Sequence, residues 1–276
     1  MITIVTGWSA TNWEEYARNF MQSFEDNWHD NCHVLAYVEK ETPFQLTGAK
    51  SLEQINIATM NDLNNFLIKH RGDPFATGKQ QKPGHAWKQK CINRGYNFRF
   101  DAVKFCRIPF YIRHAAARVK KGRMIWIDAD CIVFNKVEPG FINSLFPRNN
   151  NVIFLGRQGY HTECGFCGFD LPQAKPLLDE WAEYYDNEFV FTLREWHNSF
   201  VFDHVRGLHE KRGLRTHNMT PKGHRHVFFQ SPIGNYIDHL KGDRRKAAGF
   251  SKERMKGRSK APEKPEPMER TELRKA

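Results

Sequence analysis

Apolar positions fall into two patterns along the chain, short unbroken runs and wider stripes. Residues 1–5 form a β-branched run that ends at Thr6-Gly7-Trp8, as expected of a buried strand feeding a turn. Trp13, Tyr16, Ala17, Phe20, Met21 and Phe24 then recur at helical spacing. Ser9 or Thr11 can cap that helix, and Glu14 and Glu15 occupy the first turn, where the helix dipole favours acids. Residues 33–38 read as a second strand, so the chain opens strand–helix–strand. The pattern next predicts a helix over 52–70 and a polar Gly/Pro/Lys-rich loop over 71–90.

A mixed helix is expected over 97–121, interrupted at Pro109, leading into Met124–Ile127. That apolar run is the kind found in a strand buried on both faces. Beyond it come a loop and short helix from Pro139, a strand over 151–155, a glycine- and aromatic-rich stretch over 156–170, an amphipathic helix over 172–185 and a last short strand over 227–229. The alternation predicts the α/β class, with a mixed, mostly parallel sheet flanked by helices. No Gly-x-Gly-x-x-Gly follows the first strand, which argues against a dinucleotide-binding domain.

With 276 residues, the chain is long enough for one large domain, expected over 1–245, followed by a basic segment, 246–276, whose Lys/Glu/Pro composition predicts disorder. The N-terminus has no charged segment leading into an apolar stretch, and no run of about 18 apolar residues occurs, so a cytoplasmic protein is expected. The six cysteines are scattered, as suits reduced thiols. Cys164-Gly-Phe-Cys167 has the spacing of half a zinc site, but no second pair completes it. Of the net charge of +11, most sits in the last 36 residues, where thirteen Lys/Arg face six Asp/Glu. Such a segment either holds phosphate-rich partners, nucleic acid among them, through counterion release or serves as a solvated tail.

The sharpest chemical signal is Asp128-Ala129-Asp130, directly after the buried run. Open α/β sheets take their ligands in the crevice outside the carboxyl ends of the strands. Two carboxylates so close repel each other and desolvate poorly unless a cation neutralises them. Oxygen ligands suit Mg²⁺ or Mn²⁺, ions that commonly share their coordination sphere with substrate phosphates. Arg99, Lys104 and Arg107, on the helix before the acids, are placed to favour an anion. Glu195-Trp-His197-Asn-Ser199 gathers acid, imidazole, amide and hydroxyl in five residues and reads as a site wall. His239 and Lys241 precede Gly242.

These residues resemble nucleotide-sugar glycosyltransferases of the GT-A fold. The likeness rests on Asp128-Ala-Asp130 at a strand end, the basic helix before it, Glu163-Cys-Gly165-Phe after it and the terminal His239-Leu-Lys-Gly242. In glycogenin-like members an Asp-x-Asp holds Mn²⁺ on the donor diphosphate, and a late His-x-x-Gly-x-x-Lys supplies a third ligand and a phosphate contact; here Arg245 stands at the lysine position and no Pro-Trp follows it. The resemblance implies that Asp130 and His239 bind Mn²⁺ or Mg²⁺ and that Asp128 binds the metal or the donor ribose. It further implies that Lys104, Lys241 and Arg245 offset charge on the leaving diphosphate and that Thr6, Gly7 and Trp8 border the nucleotide base. An inverting course would need a base, Glu195 first and Glu163 second; a retaining course, which the glycogenin-like ending favours, would not.

The chain is also similar to phage-encoded GT-A enzymes that decorate modified DNA bases, which implies a hydroxymethylated base or a glycan as acceptor. Two other classes compete. A metal-dependent nucleotidyl or phosphoryl transferase also uses paired aspartates, but neither a third neighbouring acid nor a glycine-lysine phosphate loop is present. A non-catalytic nucleic-acid-binding protein would account for the basic tail, yet paired acids after a buried strand would repel phosphate.

Overall fold

The computed structural model describes residues 2–28, 31–81, 95–224, 226–240, 250, 251 and 254. In chain order the elements are β1 (Ile2–Trp8), α1 (Ala10–Asn12), which passes through a π-turn (Trp13–Ala17) into α2 (Arg18–Asn27), β2 (Cys32–Val38), β3 (Lys50–Asn56), α3 (Asn61–His70), α4 (Ala102–Phe105) and α5 (Arg107–Val119). There follow β4 (Gly122–Ile127), β5 (Cys131–Val133), α6 (Phe141–Ser144), β6 (Val152–Arg157), β7 (Tyr160–Leu171), α7 (Lys175–Asp186), α8 (Asn198–Lys211), β8 (Thr216–Asn218) and β9 (Ile237–His239).

Seven strands form one sheet in the order β3-β2-β1-β4-β7-β6-β8, and β7 alone runs antiparallel to its neighbours. The fold is therefore α/β with a mostly parallel sheet. The β-branched runs of the central strands are buried on both faces, as a parallel sheet covered by helices requires. One face packs Leu35, Tyr37, Met124 and Trp126 against α3, α5, α7 and α8. The other packs Ile4, Val34, Ile125 and Ile127 against Phe20, Met21 and Phe24 of α2 and Ile142 of α6. A second, two-stranded sheet pairs β5 with β9.

Three expectations are corrected. Residues 50–56 are a strand rather than the start of a helix: they pair in parallel with β2 at the sheet edge, where half-burial leaves a mixed sequence without clear alternation. The helix break lies at Cys106, between α4 and α5, and not at Pro109. Pro109 sits in the first turn of α5, where a missing N–H costs nothing. Residues 227–229 form a turn whose Val227 and Phe228 are core side chains, and not a strand.

The boundary expected at residue 245 also falls short of the packed domain. Ser251 and Arg254 are buried, and Phe250 meets Phe134 edge to face. Among the described residues no helix is long and apolar enough to cross a membrane.

Candidate metal centre

β4 ends in Ile127, and alternation along it places Trp126 and Asp128 on the same side. The Trp126 indole N–H donates to Asp128 Oδ1 at 2.7 Å. The Asp128 N–H donates to the Gly165 carbonyl of β7, so the acid is fixed at both backbone and side chain. The chain then turns, Cys131 N–H donating to Asp128 O, and β5 starts one residue after Asp130.

That short strand decides the third member of the site. β9 pairs with β5 so that His239 lies opposite Cys131, and the Leu240 N–H donates to the Asp130 carbonyl. A residue more than a hundred positions away is thereby delivered to the acids. His239 Nε2 lies 2.9 Å from Asp130 Oδ1 and 3.8 Å from Asp128 Oδ2. Asp130 and His239 are buried, and Asp128 is about a quarter exposed. The sequence expectation that Asp128, Asp130 and His239 converge is met.

Donor chemistry and spacing suit a hard divalent ion. Ligands held at about 2.1 Å in octahedral geometry stand roughly 3 Å apart at adjacent positions, close to the shorter of these separations. Two carboxylates and one imidazole also match the oxygen-rich preference of Mg²⁺ and Mn²⁺. Burial and the neighbouring Asp130 charge push the Asp128 carboxyl up to about 7, against the opposing influence of His239 and the Trp126 indole. A cation would remove that strain on ionisation.

Gly165 is a hidden part of the centre. A Cβ there would stand 2.9 Å from His239 Cε1, 3.0 Å from Nδ1 and 3.2 Å from the Phe228 ring. Glycine thus lets the imidazole lie against β7. Gly165→Ala is expected to tilt the ring and weaken Mn²⁺ binding by about 10- to 100-fold, the usual effect of disturbing groups that orient a ligand. Titration calorimetry with Mn²⁺ checks this; wild-type affinity in the variant would remove glycine's proposed role.

A cleft of about 320 Å³ opens beside the acids, lined by Gly7, Trp8, Lys104, Arg107, Tyr111 and Trp126 together with Asp128 and Asp130. Lys104 and Arg107 bring positive charge, and the rings bring flat apolar walls. Gly7 is needed there for packing, because a Cβ would come within 2.9 Å of the Tyr111 ring and the Tyr37 carbonyl.

Other expected site residues stand elsewhere. Thr6 is fully buried in β1, opposite Ala36, and does not line the cleft. Glu163 lies behind the imidazole, 3.7 Å from His239 Nδ1, and pairs with Arg157 at 3.2 Å. Lys241 and Arg245 lie outside the described residues. Arg99 turns away from the cleft to Glu195, with Nη1 donating to Oε1 at 2.8 Å.

Glu195 in turn meets His197 at 3.0 Å and His161 at 3.4 Å. Burial tends to raise its carboxyl, but hydrogen bonds from both imidazoles and the Arg99 charge outweigh that and hold it well below the usual carboxylate range. His161 is raised to about 9 by its hydrogen bonds to Asp203 and Glu195. Burial lowers His197. His161 and Asp203 belong to this cluster and were not singled out by sequence pattern; only folding brings β7 and α8 together.

Cys164 and Cys167 are free, buried thiols of β7 and belong to neither grouping of metal-capable side chains found among the described residues. No protein-family model matches the chain, and no curated protein matches it.

Proposed function

We propose that the protein is a metal-dependent glycosyltransferase of GT-A type that moves a sugar from a nucleoside-diphosphate donor to an acceptor hydroxyl. The observation that carries this reading is the convergence of His239 on Asp130 at 2.9 Å, at the edge of a cleft that also presents Lys104 and Arg107. A cation site flanked by Lys104 and by Arg107, which pairs with Glu39 at 3.1 Å, suits a diphosphate whose negative charge grows as it departs. The mostly parallel sheet, with the acids after a central strand, agrees with such a fold.

In this reading Asp128, Asp130 and His239 hold Mn²⁺ or Mg²⁺, which when bound supplies electrostatic stabilisation of the leaving diphosphate. Trp8, Tyr111 and Trp126 provide surfaces for the nucleoside. Lys104 and Arg107 hold phosphate oxygens as the anomeric carbon–oxygen bond breaks and negative charge grows on the departing nucleoside diphosphate. The acceptor oxygen forms the new bond to the anomeric carbon and passes its proton to the departing diphosphate. The only acids lining the cleft among the described residues are Asp128 and Asp130. Glu195, held strongly acidic, is a poor proton acceptor. Both points support a retaining course.

The test is to incubate the protein with Mn²⁺ and a panel of nucleotide sugars and follow release of nucleoside diphosphate, with and without chelator. Chelator-sensitive release from one donor is the expected result. Turnover of none of the panel, or release of inorganic pyrophosphate from nucleoside triphosphates instead, would replace this reading with the phosphoryl-transfer one. Lys104→Ala is expected to lower kcat/KM for the donor by roughly 10- to 100-fold, the value of a charge-assisted contact to phosphate. Unchanged donor kinetics would place the diphosphate elsewhere.

A further inference from the structure

On the same face of the sheet as Trp126, the start of β7 and the segment entering α8 build a second set of converging donors. Trp196 is driven into the core and pinned at both backbone groups, its N–H donating to Arg99 O at 2.7 Å and its carbonyl accepting from Tyr185 Oη at 2.9 Å. The flanking Glu195 and His197 meet on one side of it, with His197 Nε2 3.0 Å from Glu195 Oε2. His161 of β7 brings its own Nε2 to 3.4 Å from the same oxygen.

Two of the three donors are supported from behind. His161 Nδ1 faces Asp203 at 3.5 Å, and Asp203 is anchored by the Thr162 N–H at 2.9 Å and by Arg206 at 3.2 Å. Arg99 holds the other Glu195 oxygen at 2.8 Å. A carboxylate behind a histidine, fixing which ring nitrogen points forward, is the arrangement that metal-binding imidazoles use.

The two separations from Glu195 fit a small tetrahedral ion, and all three donors lie within 4.8 Å of one another. Zinc bonds of about 2.0–2.1 Å put neighbouring ligand atoms about 3.3 Å apart, between the two separations observed. The donors also differ in kind from those beside the cleft. Two imidazoles and one carboxylate suit zinc, whereas two carboxylates and one imidazole suit Mg²⁺ or Mn²⁺.

We propose that His161, Glu195 and His197 form a second metal site, of zinc class and distinct from Asp128, Asp130 and His239. Three protein ligands leave a fourth position for water or a substrate oxygen, the open pattern rather than the closed structural one. His161 is about a quarter exposed, which gives that position access to solvent. The site stands one aromatic ring from the cleft: Phe105 lines the cleft, and its ring centroid is 6.0 Å from that of His197. The assignment does not depend on the transferase reading.

The experiment uses full-length protein stripped of metal by chelator and titrated with Zn²⁺ in the presence of saturating Mg²⁺. Zinc binding in wild type and in Asp130→Asn, lost at least 100-fold in His197→Gln with Mn²⁺ affinity intact, is the expected result. Asp203→Asn should weaken zinc by about 10- to 100-fold by freeing the His161 ring. Absence of zinc binding in Asp130→Asn, or equal zinc affinity in wild type and His197→Gln, overturns the proposal. Should His197→Gln fail to fold, the melting temperature of Asp130→Asn decides: an increase on adding Zn²⁺ supports the site, and no change overturns it.

Discussion

Replacing Asp130 by asparagine is expected to abolish divalent-cation binding at the cleft and with it turnover, while making the cation-free protein less sensitive to alkaline pH. Metal electrostatics supply several kcal/mol to transition-state stabilisation, so activity should fall by roughly 10²- to 10⁴-fold. The stability effect has the opposite sign. Asp128 is pushed up to about 7 by burial and by the Asp130 charge, above the ordinary unfolded value of about 4. A group raised on folding contributes its stability below the unfolded value and loses it as pH rises through the folded one. Metal-free wild type should therefore melt at lower temperature at pH 8 than at pH 5. Asparagine removes the Asp130 charge, one of the causes, so the gap should narrow in the variant. Mn²⁺ should restore wild-type stability at pH 8 by mass action and leave the variant unmoved. Melting curves in chelator and in Mn²⁺ at both pH values check this. A variant that Mn²⁺ still stabilises as it does wild type would break the assignment of Asp130 as a ligand.

The legible part of the site was local. Asp128 and Asp130 were readable because a buried strand and its abrupt polar end lie within one stretch of eight residues, and His239 because its neighbours matched a terminal motif. What hid the rest was sequence separation and brevity. The strand that carries His239 has three residues, too few for any periodicity to register. Glu195 looked like a free base in a polar cluster; its actual partners, Arg99 and His161, come from distant elements. β3 was misread because an edge strand with one well-buried residue carries no alternation. The domain's end was obscured for a different reason: composition averages over a segment, and one buried arginine does not alter an average.

That arginine leads to the second large effect. Asp238 is fully buried in the middle of β9, next to His239, and pairs across the ladder with Ile132. It accepts from the Ser251 N–H at 2.7 Å and the His239 N–H at 3.1 Å, and faces Arg254 Nε at 3.4 Å. Arg254 also donates to the Gly234 carbonyl and lays its guanidinium 4.0 Å from the Phe134 ring centroid. Arg254→Ala leaves the Asp238 charge buried without its cation, a change that costs about 3–5 kcal/mol, against a total stability of about 5–15 kcal/mol for a typical domain. Because Asp238 and His239 share one short strand, the loss should also loosen the imidazole and weaken Mn²⁺ binding by about tenfold or more. Arg254→Lys keeps the charge but not the planar stacking on Phe134, and should recover part of each effect. Urea unfolding read alongside Mn²⁺ titration tests the coupling. If Arg254→Ala were as stable as wild type and bound Mn²⁺ equally well, the C-terminal contact would have no part in holding His239 against the acids.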